Sequence, residues 1–160
     1  MKKVLIIAVF AMFAASAVFA QGIGLGYESN LGSSHGVSVL VPAGPVSVQG
    51  VLGFDNMSPD VGDSMTELDI AGYVAYPLMD MGDARLSGFV GVAVETLTDF
   101  DAGYGVRFGI QPCTMITDNI DLRAKVGLQY MQDKLYQDAT GDPDTSLGTF
   151  GSIGVHWIFQ

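Results

Sequence analysis

The chain has 160 residues, of which 49% are AVILMFWYC and only 15% are charged, against roughly 25% charged in an ordinary soluble domain. With Lys2 and Lys3 set aside in an apparent leader, five bases stand against 17 acids, a net charge of −12. All 21 glycines lie after residue 20, about twice the average ~7% usage for the remaining 140 residues. The length fits one core rather than two. So acidic a chain makes a poor nucleic-acid binder, and it is too apolar and too poor in charge to be disordered. A single Cys excludes a disulfide scaffold and a cysteine-based zinc site.

The first twenty residues read as a secretory signal peptide. Met1, Lys2 and Lys3 form a basic start, Val4 through Phe13 is unbroken apolar chain, and Ala14, Ala15, Ser16 and Ala17 follow. Cleavage fits after Ala15-Ser16-Ala17 or, preferred here, after Val18-Phe19-Ala20. A retained anchor is the alternative. The stretch Val4–Ala20 sits at the lower limit of the ~17–25 residues a spanning helix needs.

From Gln21 the apolar period becomes two, the side-chain repeat of a strand. The first segment sets Ile23, Leu25 and Tyr27 against Gly22, Gly24, Gly26 and Glu28. The second sets Val37, Val39 and Val41 against Gly36, Ser38 and Leu40. Pro42–Pro45 turns the chain, and a third strand sets Val46, Val48, Leu52 and Phe54 against Ser47, Gln49, Val51 and Gly53. Asp55–Thr66 reads as a loop. The fourth strand has Leu68, Ile70, Val74 and Tyr76 opposite Asp69, Ala71, Tyr73 and Ala75. Pro77–Ala84 reads as a turn. The fifth has Leu86, Val90, Val92 and Val94 opposite Ser87, Phe89, Gly91, Ala93 and Glu95. After a short acidic loop with Asp99 and Asp101, the sixth has Tyr104, Val106, Phe108 and Ile110 opposite Gly105, Arg107, Gly109 and Gln111. Pro112–Asn119 turns again. The seventh has Ile120, Leu122, Ala124, Val126, Leu128 and Tyr130 opposite Asp121, Arg123, Lys125, Gly127 and Gln129. Asp133–Ser146 reads as the longest polar loop. The eighth has Ile153, Val155, Trp157 and Phe159 opposite Ser152, Gly154, His156 and Ile158.

Eight such strands can close with either face inward. A soluble barrel wets the non-apolar face, which should then be rich in Lys and Glu. Here that face is Gly, Ala and Ser with a handful of charges: Glu28, Asp69, Glu95, Arg107, Asp121, Arg123 and Lys125. Small residues suit the crowded inside of an eight-stranded barrel, and the bulky ones then face lipid, where closure satisfies every backbone amide without water. The aromatic positions agree. With both termini periplasmic, Tyr27, Phe54, Tyr104 and Tyr130 fall at the loop ends of their strands. Tyr76, Trp157 and Phe159 fall at the turn ends. This predicts two girdles at two membrane interfaces. The fold expected is all-β: one eight-stranded antiparallel up-and-down transmembrane barrel over residues 21–160, after a signal peptide over 1–20.

This pattern, with the ending Gly154-Val155-His156-Trp157-Ile158-Phe159, resembles the small eight-stranded outer-membrane barrels of the OmpA/OmpX type, barrel only. The resemblance implies the outer membrane of a diderm bacterium, and contact with outer-membrane lipids including lipopolysaccharide. It also implies recognition of the terminal strand by the barrel assembly machinery; here Gln160 follows the aromatic. It is a likeness of architecture and transfers little chemistry. The expected role is non-enzymatic, structural or surface-interacting through acidic loops toward an unidentified partner. The protein is expected to be a monomer without a cofactor.

The inward charges suggest either a gated ion path or a structural polar plug, and a filled interior favours the plug. Glu95 and Arg107 flank one loop on adjacent strands, at positions that allow them to pair. Arg123 and Lys125 share a strand with Asp121. His35, with Ser33, Ser34, Ser38 and Glu28 nearby, and His156, far from it and pointing inward, are the only candidates for a lipid-modifying enzyme of the Ser-His-acid kind. Asp55, Asp60 and Asp63 in one loop, and Asp138, Asp142 and Asp144 in another, do not match an EF-hand and read as a solvated rim. Cys113 is expected in a turn, half-buried. A soluble lipocalin-like binder is the remaining alternative.

Overall fold

The computed structural model describes residues 22–31, 34–57, 65–97, 102–137 and 143–159. Residues 1–20, expected to form a signal peptide, and Gln21, Ser33, Asp60, Asp63, Asp99, Asp101, Asp138, Asp142 and Gln160 lie outside the described residues. Eight strands follow one another: β1 (Ile23–Asn30), β2 (His35–Ala43), β3 (Val46–Met57), β4 (Met65–Met81), β5 (Ala84–Leu97), β6 (Gly103–Thr117), β7 (Ile120–Gln137) and β8 (Pro143–Phe159). Each pairs antiparallel with its sequence neighbours, and β8 returns to β1, so the sheet closes as an up-and-down barrel. Closure leaves no strand of the described barrel at an open sheet edge.

The period-two face assignment holds along most of each strand; Val41 and Val48, expected on the exposed apolar face, are buried instead. Glu28, Ser38, Gln49, Asp69, Tyr73, Arg107, Lys125 and His156 are buried inside, while Leu25, Val37, Leu52, Tyr76, Val90, Phe108, Leu128 and Trp157 are exposed on the outer wall. A packed apolar cluster of Val51, Ala71, Tyr73, Ala75, Phe89, Ala93 and Phe150 fills part of the interior. Tyr73, Phe89 and Phe150 meet at ring-centroid distances of 5.8–6.1 Å, within the range where aromatic pairs attract.

The strands are longer than the turn and loop signals suggest. Pro77–Ala84 is not a turn: β4 runs on to Met81 and only Gly82–Asp83 turns, with Gly82 at φ 71°. The ladder to β5 skips between Pro77 and Met79, so a bulge accommodates the missing proline amide. Pro112–Asn119 is likewise mostly strand. Pro112 pairs with Leu86, and the ladder to β7 omits Gln111 and Pro112. The chain turns only at Asp118–Asn119, and Cys113 therefore lies in β6 rather than in a turn. The first turn narrows to Gly44–Pro45, with Gly44 at φ 61°, and Pro42 pairs with Ser47. Asp55 through Met57 and Asp133 through Gln137 extend strands that were expected to have ended. Cross-strand pairing outweighs local polarity at these ends.

Inward glycines set how closely neighbouring strands and their side chains approach. A Cβ on Gly36 would lie 2.0 Å from the Leu52 carbonyl oxygen and 2.6 Å from the Gly53 Cα. One on Gly148 would meet only the flexible Gln129 side chain, at 3.7 Å. Gly36→Ala is therefore expected to cost ~1–3 kcal/mol through overpacking, and Gly148→Ala to be close to neutral. Urea-unfolding midpoints of the two variants check this.

Candidate functional site: the charged column inside the barrel

The seven charged residues singled out by the sequence all stand on the inner face. They form three groups, stacked from the loop end to the turn end. In an interior this narrow an unpaired charge is expensive, and each cation has an acidic partner.

Arg107, 2% exposed, holds the loop-end group. Its guanidinium donates to Glu95 at 2.5 Å, to Asp69 at 3.2 Å, to the Tyr73 hydroxyl at 2.9 Å and to Gln129 at 3.3 Å. It also lies 4.7 Å above the Phe150 ring. One side chain of β6 thereby ties β4, β5, β7 and β8. Asn30 donates to Asp69 at 2.8 Å, and Ser34 at 3.2 Å. Glu67 stands one register step beyond the Phe54–Leu68 pair. Burial, and then the neighbouring Asp69 and Asp55 carboxylates, raise its pKa.

Lys125 and Glu28 make the middle group, both 1% exposed and 2.5 Å apart. Glu28 also accepts from Ser152 at 2.8 Å and from the Gln49 amide, while the Lys125 ammonium sits 4.5 Å from the Tyr73 ring centre. At the turn end Arg123 forms a two-pronged pair with Asp121, two residues away on the same face, and reaches Ser47 at 3.1 Å.

His156 lies between the last two groups and is fully buried. Its Nε2 is 2.7 Å from the Ser38 hydroxyl and 3.1 Å from the Gln49 amide nitrogen. Gln49 Nε2 is a donor, so the histidine Nε2 accepts and the ring proton belongs on Nδ1. Nδ1 faces the Asp121 carboxylate at 3.9 Å, beyond hydrogen-bond reach. Gly26 makes room for the ring: a Cβ there would fall 2.7 Å from His156 Cδ2. The expected grouping around His35 does not form. His35 packs on the outer wall between Tyr27 and Phe54, with centroids 6.2 and 5.4 Å away. Ser38 and Glu28 face inside, on the other side of the sheet. Ser38 is paired instead with the distant histidine, in a row buried from solvent.

Below the column the barrel opens at its turn end into a cavity of about 970 Å³. Arg85, Cys113, Asp121, Arg123, Ser87 and Ile158 are among its lining residues. Cys113 is a half-buried free thiol, opposite Arg85 on one neighbouring strand and Arg123 on the other. The Arg85 pKa is raised, chiefly by its hydrogen bond to Asp80. The lining comes wholly from the turn-end half; Leu40, Gln111 and His156 are buried in the interior beyond it.

The seven aromatics expected in the girdles, Tyr27, Phe54, Tyr76, Tyr104, Tyr130, Trp157 and Phe159, are exposed on the outer wall. Sequence reasoning missed Asn30, Gln49, Tyr73 and Phe150 as members of the network. Gln49 and Tyr73 carried a usable signal, because each sits at an inward position of its strand. Phe150 lay before the assigned start of the last strand.

Lys125→Met would leave Glu28 buried without its cation and is expected to cost ~3–5 kcal/mol. The double variant Glu28→Gln/Lys125→Met should recover most of that loss. A double-mutant cycle on urea-unfolding free energies measures the coupling. No model of a known protein family matches the chain, and no curated protein matches it.

Proposed function

We propose that the chain is an integral outer-membrane barrel of a diderm bacterium, with a structural or surface-interaction role and a filled interior. The observation that carries this reading is the inversion of the usual partition. Arg107, Lys125, Glu28 and Asp69 are buried while Leu25, Val37, Phe108, Val126, Ile153 and Trp157 are exposed. A water-soluble barrel has no use for an apolar wall on all sides; a lipid-facing barrel needs one. The exposed aromatics at both ends of the wall suit two lipid–water interfaces. In this reading its partners are outer-membrane lipids including lipopolysaccharide, the assembly machinery during insertion, and a surface partner at the loop end.

Because every cation of the column is paired and the turn-end cavity is lined from one half of the barrel only, a plug is favoured over a pore. The competing narrow channel draws its support from the charges that line that cavity. It requires steady single-channel conductance in planar bilayers that changes on Arg123→Gln.

The decisive experiment is fractionation of expressing cells with gel mobility of unheated and boiled samples. The reading predicts recovery in the outer membrane and a faster-migrating unheated band. Recovery as a soluble periplasmic protein contradicts it. Val90, exposed on the wall, gives a second check: Val90→Arg should cost ~2–4 kcal/mol in a bilayer. Folding into lipid vesicles along a urea series measures that cost.

A further inference from the structure

At the loop end, the described residues of the inner face bring together four carboxylates and one cation. The register places Asp55 opposite Glu67 and Asp69 opposite Glu95, and all four belong to the inward set of their strands. Like charges directly opposite one another across a ladder destabilise it. Among the described residues Arg107 is the cation that faces them, and it bonds Asp69 and Glu95.

The bonding of Asp69 is lopsided. Its Oδ2 accepts from Asn30, Ser34 and Arg107. Its Oδ1 is buried and accepts from nothing, and the buried Oδ1 of Asn30 is also without a donor. Asp69 is 1% exposed and Asn30 7%, so these are acceptor oxygens deep in the wall of the site. A buried oxygen left without a partner costs ~1–3 kcal/mol. Glu95 is 27% exposed, which leaves an approach from the loop end.

We propose that this cluster binds one calcium ion, held by Asp69 Oδ1, Asn30 Oδ1 and the Glu67 carboxylate, with water completing the shell. An all-oxygen set mixing carboxylates with a side-chain amide suits a hard divalent cation, and the irregular arrangement favours calcium over magnesium, which demands a near-octahedral shell. Among the described residues no three His, Cys, Asp or Glu side chains converge as a ready-made metal cage. The site therefore depends on an amide oxygen and water, which places its affinity in the weak class of extracellular calcium sites, a Kd of order 10⁻⁴–10⁻³ M. The ion neutralises the excess charge and gives both orphan oxygens a partner. The inference concerns the interior of the fold and does not depend on where the barrel resides.

The test is calorimetric titration of the folded chain in detergent micelles with calcium chloride and, separately, magnesium chloride. Asn30→Ala, Asp69→Asn and Glu67→Gln are the variants, and heat-dependent gel mobility checks that each is folded. The proposal predicts saturable calcium binding, weaker magnesium binding, and at least a tenfold loss of calcium affinity in each folded variant. Glu67 is only partly buried, so Glu67→Gln decides if Asp69→Asn fails to fold. The absence of calcium binding by the unmodified chain overturns the proposal, with water then filling the orphan positions. Calcium affinity unchanged in Glu67→Gln and Asn30→Ala also overturns it, by placing the ion on the acidic loops. Magnesium binding as tight as calcium overturns the choice of ion.

Discussion

Eight strands closed on themselves enclose a space only wide enough for side chains to fill. Once β8 pairs with β1, that limit governs the rest of the structure. The wall has two faces of unequal room, and period-two alternation assigns each residue to one of them. Glycine, alanine and serine take much of the narrow side, among them Gly24, Gly36, Ser38, Ala71, Ala93 and Ser152, which are all buried. Bulky branched and aromatic residues take the other. The solvent that such an exterior requires follows from this division, and so does the need to neutralise whatever charge remains inside.

The charges inside also fasten the closure. Backbone ladders join only neighbouring strands, but side chains inside the barrel also join strands that are not neighbours. Glu28 of β1 reaches β3 through Gln49, β7 through Lys125 and β8 through Ser152. Arg107 of β6 reaches β4, β5 and β7. Ser38 of β2 meets His156 of β8 across β1 at the point where Gly26 withdraws its bulk. A buried ion pair adds little net stability over an apolar pair of similar shape. Its effect here is to penalise other registers, because a one-residue slip would turn Lys125 or Arg107 onto the apolar wall.

Much of this arrangement is legible in the sequence, and the residues that escape it share a cause. Alternation identified the inward position of every charge in the column, because burial on one face imposes a strict period on the chain. The ends of strands were harder. Pro77, Pro112, Asp55 and Asp133 carry strong local turn or loop signals, yet each lies in a ladder whose partner strand continues alongside it. The pairing of Ser38 with His156 rather than with the nearby His35 was equally invisible. It depends on which strands become neighbours on closure and on the parity that sends His35 outward. No feature of one short segment carries that information. Function is less legible still, because a barrel of this kind is an architecture on which many activities are built.

Trp157 is the only tryptophan in the chain, and it stands 54% exposed on the outer wall, so its fluorescence reports directly on what surrounds that wall. The most direct measurement is its emission from the chain folded into vesicles containing brominated phospholipids, compared with quenching by aqueous acrylamide. If the bulky side chains face lipid, bromine quenches the indole strongly and acrylamide does so weakly. Strong acrylamide quenching, with no response to bromine in protein that has folded and remains in solution, would contradict the account at its root.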